Sequence, residues 1–451
     1  MDLLTGKIKN LYFKYLSAAF GSALITSIYG LVDMAMVGQY QGPEGTAALA
    51  VFAPVWNILY SLGLLTGIGG SVLFGTIRGR NGQNGREENE YFTLALIGTL
   101  AFSVLSWIVL IFYSDPLLRL FGAEETLLPL AQEYLRPVRY VIPAFLLNQM
   151  LAAFLRNDGA PGLATAAVLS GGIFNIFGDY FCVFTLNMGI RGAGLATAIG
   201  SVITLLVMAS HFFSRKNTLH LVRIHKPFQK FGRIAVTGFS TFFIDIAMGI
   251  LTMMFNRQIM AYMGTDALAV YGVIVNISTF AQCCAYSVGQ AAQPIISANY
   301  GAQKFDRIRG ALKYSIAATA FFALLWTVLA LACPTIFIYI FMEPTTSVLQ
   351  IAPGIIRCYG LSFLLLPLNI FSTYYFQALM KPQSAFFVSV TRGMVLSGIL
   401  IYVLPLIGGG ELIWFAMPIT ELMVSIAVIW MMARYTHALS HAAEQQKQGP
   451  C

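Results

Sequence analysis

Asp33, Asn175, Asp179 and Thr197 are the side chains best suited to holding a small cation in this chain. Two carboxylates, an amide and a hydroxyl are all hard oxygen donors, which suit a sodium ion or a shared proton and do not suit zinc or copper. Asn175 precedes Asp179 by 179 − 175 = 4 residues, one helical turn, so the amide and the carboxylate share a face. Asn175 and Thr197 also fit plain hydrogen bonding between neighbouring membrane helices. The two aspartates are different. No cationic residue lies at the same depth in this half of the chain, so each must take a proton or a bound cation.

That depth argument rests on the elements that carry these residues. Hydrophobic residues make up 57% of the 451 and charged residues only 10%, too little polar surface to cover a soluble domain. Apolar runs of about 20 residues, long enough to cross a bilayer, recur at 11–38, 46–75, 92–114, 131–156, 162–186, 192–214, 234–263, 266–298, 311–341, 351–379, 384–406 and 410–433. The expected fold is all-α and integral to the membrane, with twelve transmembrane helices in two pseudo-symmetric six-helix lobes.

The two-lobe expectation comes from a duplication. Gly45–Asn57 reads GTAALAVFAPVWN and Gly264–Asn276 reads GTDALAVYGVIVN, at an offset of 264 − 45 = 219. The same register pairs Gly70 with Gly289, Gly82 with Gly301 and Tyr140 with Tyr359. In so apolar a chain, a repeat near half the length is the pattern of carriers that alternate access to a central site. The expected organisation is an N-terminal lobe over 1–214, a basic link over 215–233, a C-terminal lobe over 234–433 and a tail over 434–451.

The formal charge of +8 follows from topology. Arg215, Lys216, Arg223, Lys226, Lys230 and Arg233 fill the link with no carboxylate. Lys7, Lys9, Lys14, Arg78, Arg80, Arg86, Lys304, Arg307, Arg309, Lys313, Lys381 and Arg434 fall on the same side of a twelve-span arrangement. The opposite loops, near Glu44, Arg191, Asp266, Glu343 and Glu411, are poor in Lys and Arg. The loop after the third span is mixed, with Arg119, Arg136 and Arg139 beside Glu124, Glu125 and Glu133. The positive-inside rule therefore places both termini in the cytoplasm, and the basic clusters face the anionic leaflet, not nucleic acid. The first apolar run is too long for a cleavable signal and is expected to stay in the protein.

Other polar residues at membrane depth form a second tier. Arg392 and Glu421 lie on consecutive spans and suit a buried structural pair. Asp245 and Arg257 are 257 − 245 = 12 residues apart, about 18 Å along a helix, too far to pair directly. Asp245 is thus a secondary candidate for binding a cationic substrate. Tyr29, Tyr140, Asn148 and Asn369 are further secondary candidates, the tyrosines because aromatic faces attract organic cations. Cys182, Cys283, Cys284, Cys333 and Cys358 lie in or beside apolar runs, where thiols act as small hydrophobes; no disulfide framework is expected, and Cys451 ends the chain. His211, His220, His225, His437 and His441 belong to the link or tail, so no His/Asp pair stands at membrane depth to do acid–base chemistry, and an enzyme is not expected.

Several motifs together resemble the multidrug and toxic compound extrusion (MATE) transporters of the bacterial type. They are YxxVDxxxVG at Tyr29–Gly38, GxxALA opening the second and eighth spans, NIFGD at Asn175–Asp179 and GIRGAGLATAIG at Gly189–Gly200. The resemblance covers nearly the whole chain. It implies a V-shaped cavity and export of small organic cations in exchange for inward Na+ or H+, with no other cofactor. It also implies a cation site on Asp33, Asn175, Asp179 and Thr197, the residues singled out above. A monomer in the bacterial inner membrane is expected. Two positions depart from the pattern: where many members carry proline, 33 − 18 = 15 residues before the first-span aspartate, this chain has Ala18 or a neighbour, and the tenth span offers Asn369 and Gln377 where some members carry acids. A lipid or lipid-linked oligosaccharide flippase of related fold is the alternative. A major-facilitator carrier does not fit, because the loop after the second span reads GTIRGRNGQNGREENEY without the aspartate of a GxxxDRxGRR motif.

Overall fold

In a computed structural model, residues 3–82, 85–123, 125–341 and 344–448 are described; Glu124, Glu343 and Cys451 lie outside them. Among the described residues, twelve helices are long and apolar enough to cross a membrane. They are α1 (Ile8–Gly42), α2 (Glu44–Asn81), α3 (Arg86–Phe112), α4 (Leu128–Asn157), α5 (Pro161–Thr185), α6 (Ile190–Phe213), α7 (Pro227–Tyr262), α8 (Thr265–Gly301), α9 (Phe305–Ala332), α10 (Thr346–Ala378), α11 (Pro382–Gly408) and α12 (Gly410–Ser440). Helices are required because lipid offers no partner to a bare amide or carbonyl, and a helix satisfies both internally.

The breaks fall at residues that cannot continue a helix. α1 runs into α2 through Gly42, whose φ of 66° and ψ of −155° interrupt the helical path. Gly264, at φ 80°, does the same between α7 and α8. Both conformations lie where a Cβ is strongly disfavoured. Pro161 and Pro382 open α5 and α11, at the position where a missing amide proton costs nothing. The short helices Ser114–Leu120 and Pro334–Phe341 fill the connections after α3 and α9.

The chain divides into two compact units, one of Met1–Leu3 with Ser17–Phe242 and the other of Leu4–Leu16 with Phe243–Cys451. The opening turns of α1 thus pack in the second unit, where Tyr12 stacks on Tyr314 of α9 with ring centroids 6.2 Å apart. The opening turns of α7 pack in the first, with Gly238 against the Leu65 carbonyl and Gly69 against the Ile234 carbonyl of the facing helix.

In the first unit a core of α2, α4 and α6 side chains gathers around Phe52, Tyr134, Leu135 and Ile190. The second has its counterpart in Phe255 stacked on Tyr271 at 4.9 Å, with Tyr359 and Trp414 alongside. Phe52 and Tyr271 are related by the repeat offset, 271 − 52 = 219. Tyr140 and Tyr359 share that register but not their surroundings: Tyr140 is 64% exposed and Tyr359 only 8%.

The link is strapped along the start of α3. His220 and Val222 donate their backbone N–H groups to Asn89 and Thr93, and His225 donates to Glu90, at 2.9, 3.1 and 2.7 Å. Lys230 closes on the same Glu90 carboxylate at 2.7 Å. Polar side chains on α3 here take the place of a strand partner for an otherwise irregular segment.

Candidate functional site

Asp33 sits on α1, buried, with Oδ2 accepting a hydrogen bond from the Tyr134 hydroxyl at 3.3 Å. Tyr134 belongs to α4 and is itself held from α2: Phe52 meets its ring edge-on at 5.3 Å, and Trp56 Nε1 donates to its hydroxyl at 3.3 Å. That hydroxyl is also within hydrogen-bonding reach of Thr197. Tyr29, one turn before Asp33, lies against Gly172 of α5, where an added Cβ would stand 3.2 Å from its ring.

The remaining candidates arrive on α5 and α6, which cross closely because both are glycine at the contact. A Cβ on Gly171 would collide with Thr204 Oγ1 and the Gly200 carbonyl, and one on Gly200 would stand 2.8 Å from the Gly171 carbonyl. The crossing lets Asn175 Nδ2 donate to Asp179 Oδ1 at 3.4 Å and to Thr197 Oγ1 at 3.1 Å. Asp179 is fully buried and close enough to Asp33 for the two charges to interact. Asp33, Asn175, Asp179 and Thr197 therefore converge, with Tyr134 as a fifth member.

Three oxygens of this cluster, Asp33 Oδ1, Asn175 Oδ1 and Asp179 Oδ2, are buried without a hydrogen-bond partner. Among the described residues no Lys, Arg or His pairs with either carboxylate. Two buried acids with unused acceptor oxygens can accept a proton or coordinate a small cation.

Asp158, between α4 and α5 in the same unit, shows the opposite treatment. It is buried, yet Arg78 meets it at 2.5 Å and His211 at 2.6 Å, with both the hydroxyl and the amide of Thr218 on it as well. Burial alone would push its carboxyl up, but the hydrogen bonds from His211, Thr218 and Arg78, with the Arg78 charge, hold it below the ordinary carboxylate range. His211, expected in the link, instead closes α6 in a 3-10 turn, Ser210–Phe213.

The second-tier residues scatter. Arg392 and Glu421 form the buried pair, with Nε 2.7 Å from Oε1. Asn369 is fully buried and donates to Glu421 Oε2 at 2.6 Å, so it completes that pair's shell. Arg392 rides on a π-helical turn, Thr391–Val395, inside α11. Asp245 on α7 takes a hydrogen bond from Tyr286 of α8. Asn148 donates to the Ser201 carbonyl at 2.9 Å, bracing α4 on α6. Tyr140 is exposed with Arg139 over its ring at 5.1 Å, away from the acid cluster.

Twelve helices long and apolar enough to span a membrane, in duplicated halves with buried acids, have the architecture of a membrane transporter. The MatE family model matches residues 18–181 and 239–403, once in each half, and the chain belongs to that family. Two relatives are multidrug export proteins MepA: that of Staphylococcus saprophyticus, 23% identical over 90% of this chain and 89% of its own, and that of Staphylococcus aureus, 24% identical over the same shares. Among solved structures, an outward-facing multidrug resistance MATE family transporter of the MOP superfamily matches with a TM-score of 0.89 and 21% identity, over 97% of this chain and 98% of its own. A MOP superfamily transporter from Pyrococcus furiosus, in which reverse polarity of the binding pocket suggests a different function, matches with 0.87 at 21% identity over the same shares.

Proposed function

We propose that this protein is an antiporter that exports small organic cations in exchange for Na+ or H+. The single observation that carries this reading is the pair Asp33 and Asp179, buried in one unit with free oxygens and, among the described residues, no cationic partner. A cation entering from outside neutralises them. Because its affinity differs between the two orientations of the carrier, binding shifts their populations and lowers affinity for the exported cation, which is the thermodynamic content of coupling.

MepA relatives that export multiple drugs support organic substrates. The Pyrococcus neighbour has the same fold with a different pocket polarity, so the sign of the cargo must come from this chain's own residues. Here the acids lacking cationic partners, Asp33, Asp179 and Asp245, favour a positive cargo over the anionic lipid of a flippase. The basic link and loop clusters support a bacterial plasma membrane orientation with both termini in the cytoplasm, and a monomer suffices because one chain supplies the whole acid cluster.

Dye efflux from proteoliposomes under separately imposed sodium and pH gradients tests the proposal and identifies the coupling ion. Asp33→Asn is expected to abolish gradient-driven efflux in protein that remains folded and monodisperse. Efflux at the wild-type rate in that variant would refute the role given to the acids, and flipping of a labelled anionic lipid without dye efflux would select the flippase.

A further inference from the structure

A groove of about 520 Å³ opens on the first unit between α4 and α6, away from the acid cluster. Its lining includes Arg136 and Arg191, near the starts of α4 and α6, Tyr140 further along α4, and Leu195, Ile199 and Val202 along α6. The wall residues recur at i, i+4 and i+7, one face of α6, whereas Thr197 lies off that stripe and meets Asn175 in the acid cluster. Tyr140, Ile199 and Val202 are 64%, 38% and 37% exposed, so this face looks outward from its unit.

The two ends differ in chemistry. Arg136 has only a long, exposed contact with Glu133 at 3.8 Å, and among the described residues Arg191 makes no ion pair. Two guanidiniums lining one groove each offer a planar fork of donors suited to phosphate oxygens. From Arg191 to Val202 is 202 − 191 = 11 residues, about 16 Å of helix, roughly half of a ~30 Å hydrocarbon core. The groove is therefore charged at its mouth, apolar along its length and one leaflet deep. An organic cation is repelled at that mouth, and a free anion leaves the apolar wall uncovered.

We propose that this groove is a binding site for one anionic phospholipid, with its phosphate on Arg136 and Arg191 and an acyl chain along Leu195, Ile199 and Val202. On the orientation given above the lipid belongs to the outer leaflet. The site is independent of ion coupling, since none of its residues contributes an atom to the acid cluster.

The full chain in phosphatidylcholine nanodiscs, doped with phosphatidylglycerol or phosphatidylcholine bearing a diazirine on the acyl chain, is photolysed and its adducts mapped by mass spectrometry. The phosphatidylglycerol probe is expected to label the 188–202 stretch about thirtyfold more than its phosphatidylcholine twin, the scale set by two interfacial charges at about 1 kcal/mol each. Arg136→Gln with Arg191→Gln should bring that ratio to about one, and Leu195→Trp, which fills the groove and keeps both charges, should suppress labelling by either probe. Soluble glycerol phosphate should not compete. Equal labelling by both probes, an unchanged ratio in the double variant, or full competition by glycerol phosphate would each overturn the assignment. Efflux is not the readout, so failure here leaves the antiport proposal standing.

Discussion

Tyr134 donates to Asp33 across 101 positions of sequence, and the bond joins α4 to α1 at the acid cluster. Removing the hydroxyl tests whether this contact serves ion binding or only packing. Tyr134→Phe keeps the ring against Phe52 and deletes one hydrogen bond to a carboxylate, worth about 1.5–3 kcal/mol. The ion concentration giving half-maximal efflux is expected to change by about tenfold or more, with folding intact. An unchanged half-maximal concentration would place Tyr134 outside the site.

Asp158 should govern acid stability of the first unit. Its carboxyl is held below the ordinary range in the folded protein, so its contribution is present above the unfolded value of about 4 and is lost as pH falls through the lower, folded value. Asp158→Asn leaves Arg78 without its partner and is expected to cost about 3 kcal/mol near neutrality. Thermal unfolding in detergent between pH 7 and pH 3 should show the wild type converging on the variant as the medium acidifies. Parallel curves would contradict this.

The Arg392–Glu421 pair is a trap for single substitutions. Either Arg392→Met or Glu421→Leu leaves a buried charge unpaired, and the second also takes the side-chain acceptor from Asn369; each should cost about 3–5 kcal/mol. The double variant should regain much of that, because an apolar pair suits the same space. A double variant as unstable as the sum of the singles would mean the two side chains are not coupled, and would refute the pair.

Ser22 and Thr165 converge on one carbonyl. Both hydroxyls donate to the Ala18 carbonyl, at 3.0 and 2.7 Å. Side-chain donors on a helical carbonyl compete with the backbone bond and loosen the helix locally. Ser22→Ala with Thr165→Val is expected to slow hydrogen exchange of the amides around Ser22 and to reduce efflux. Faster exchange would show that the hydroxyls stiffen α1 instead.

The convergence of Asp33, Asn175, Asp179 and Thr197 was legible because lipid penalises each polar atom separately, so a single sequence exposes them one at a time. Tyr134 was not legible. A tyrosine near the start of a span reads as an interfacial residue, and only the packing of α4 through Phe52 and Trp56 shows that its hydroxyl reaches α1. Helix count followed from hydropathy, but the ends did not: α9 begins at Phe305, ahead of the apolar run expected from 311, because its helix takes in Arg307, bonded to Asn299 and the Gly6 carbonyl, and the exposed Arg309. Hydropathy senses the solvent around a helix, whereas hydrogen bonding decides where the helix stops. Asn369 had the composition of a binding residue, and its neighbour Glu421, 52 positions away, gives it a different occupation.

The trading of opening turns between the two units bears on how such a chain could have arisen. A lone half, ending before Pro227, would present the surface around Leu65 and Gly69 with nothing seated on it, and its own first turns would have no Tyr314 to rest against. Two identical halves could relieve both defects only by clasping each other. Joining them end to end would have supplied both missing segments within one chain, and freed each copy to drift, as Tyr140 and Tyr359 have done, into different surroundings.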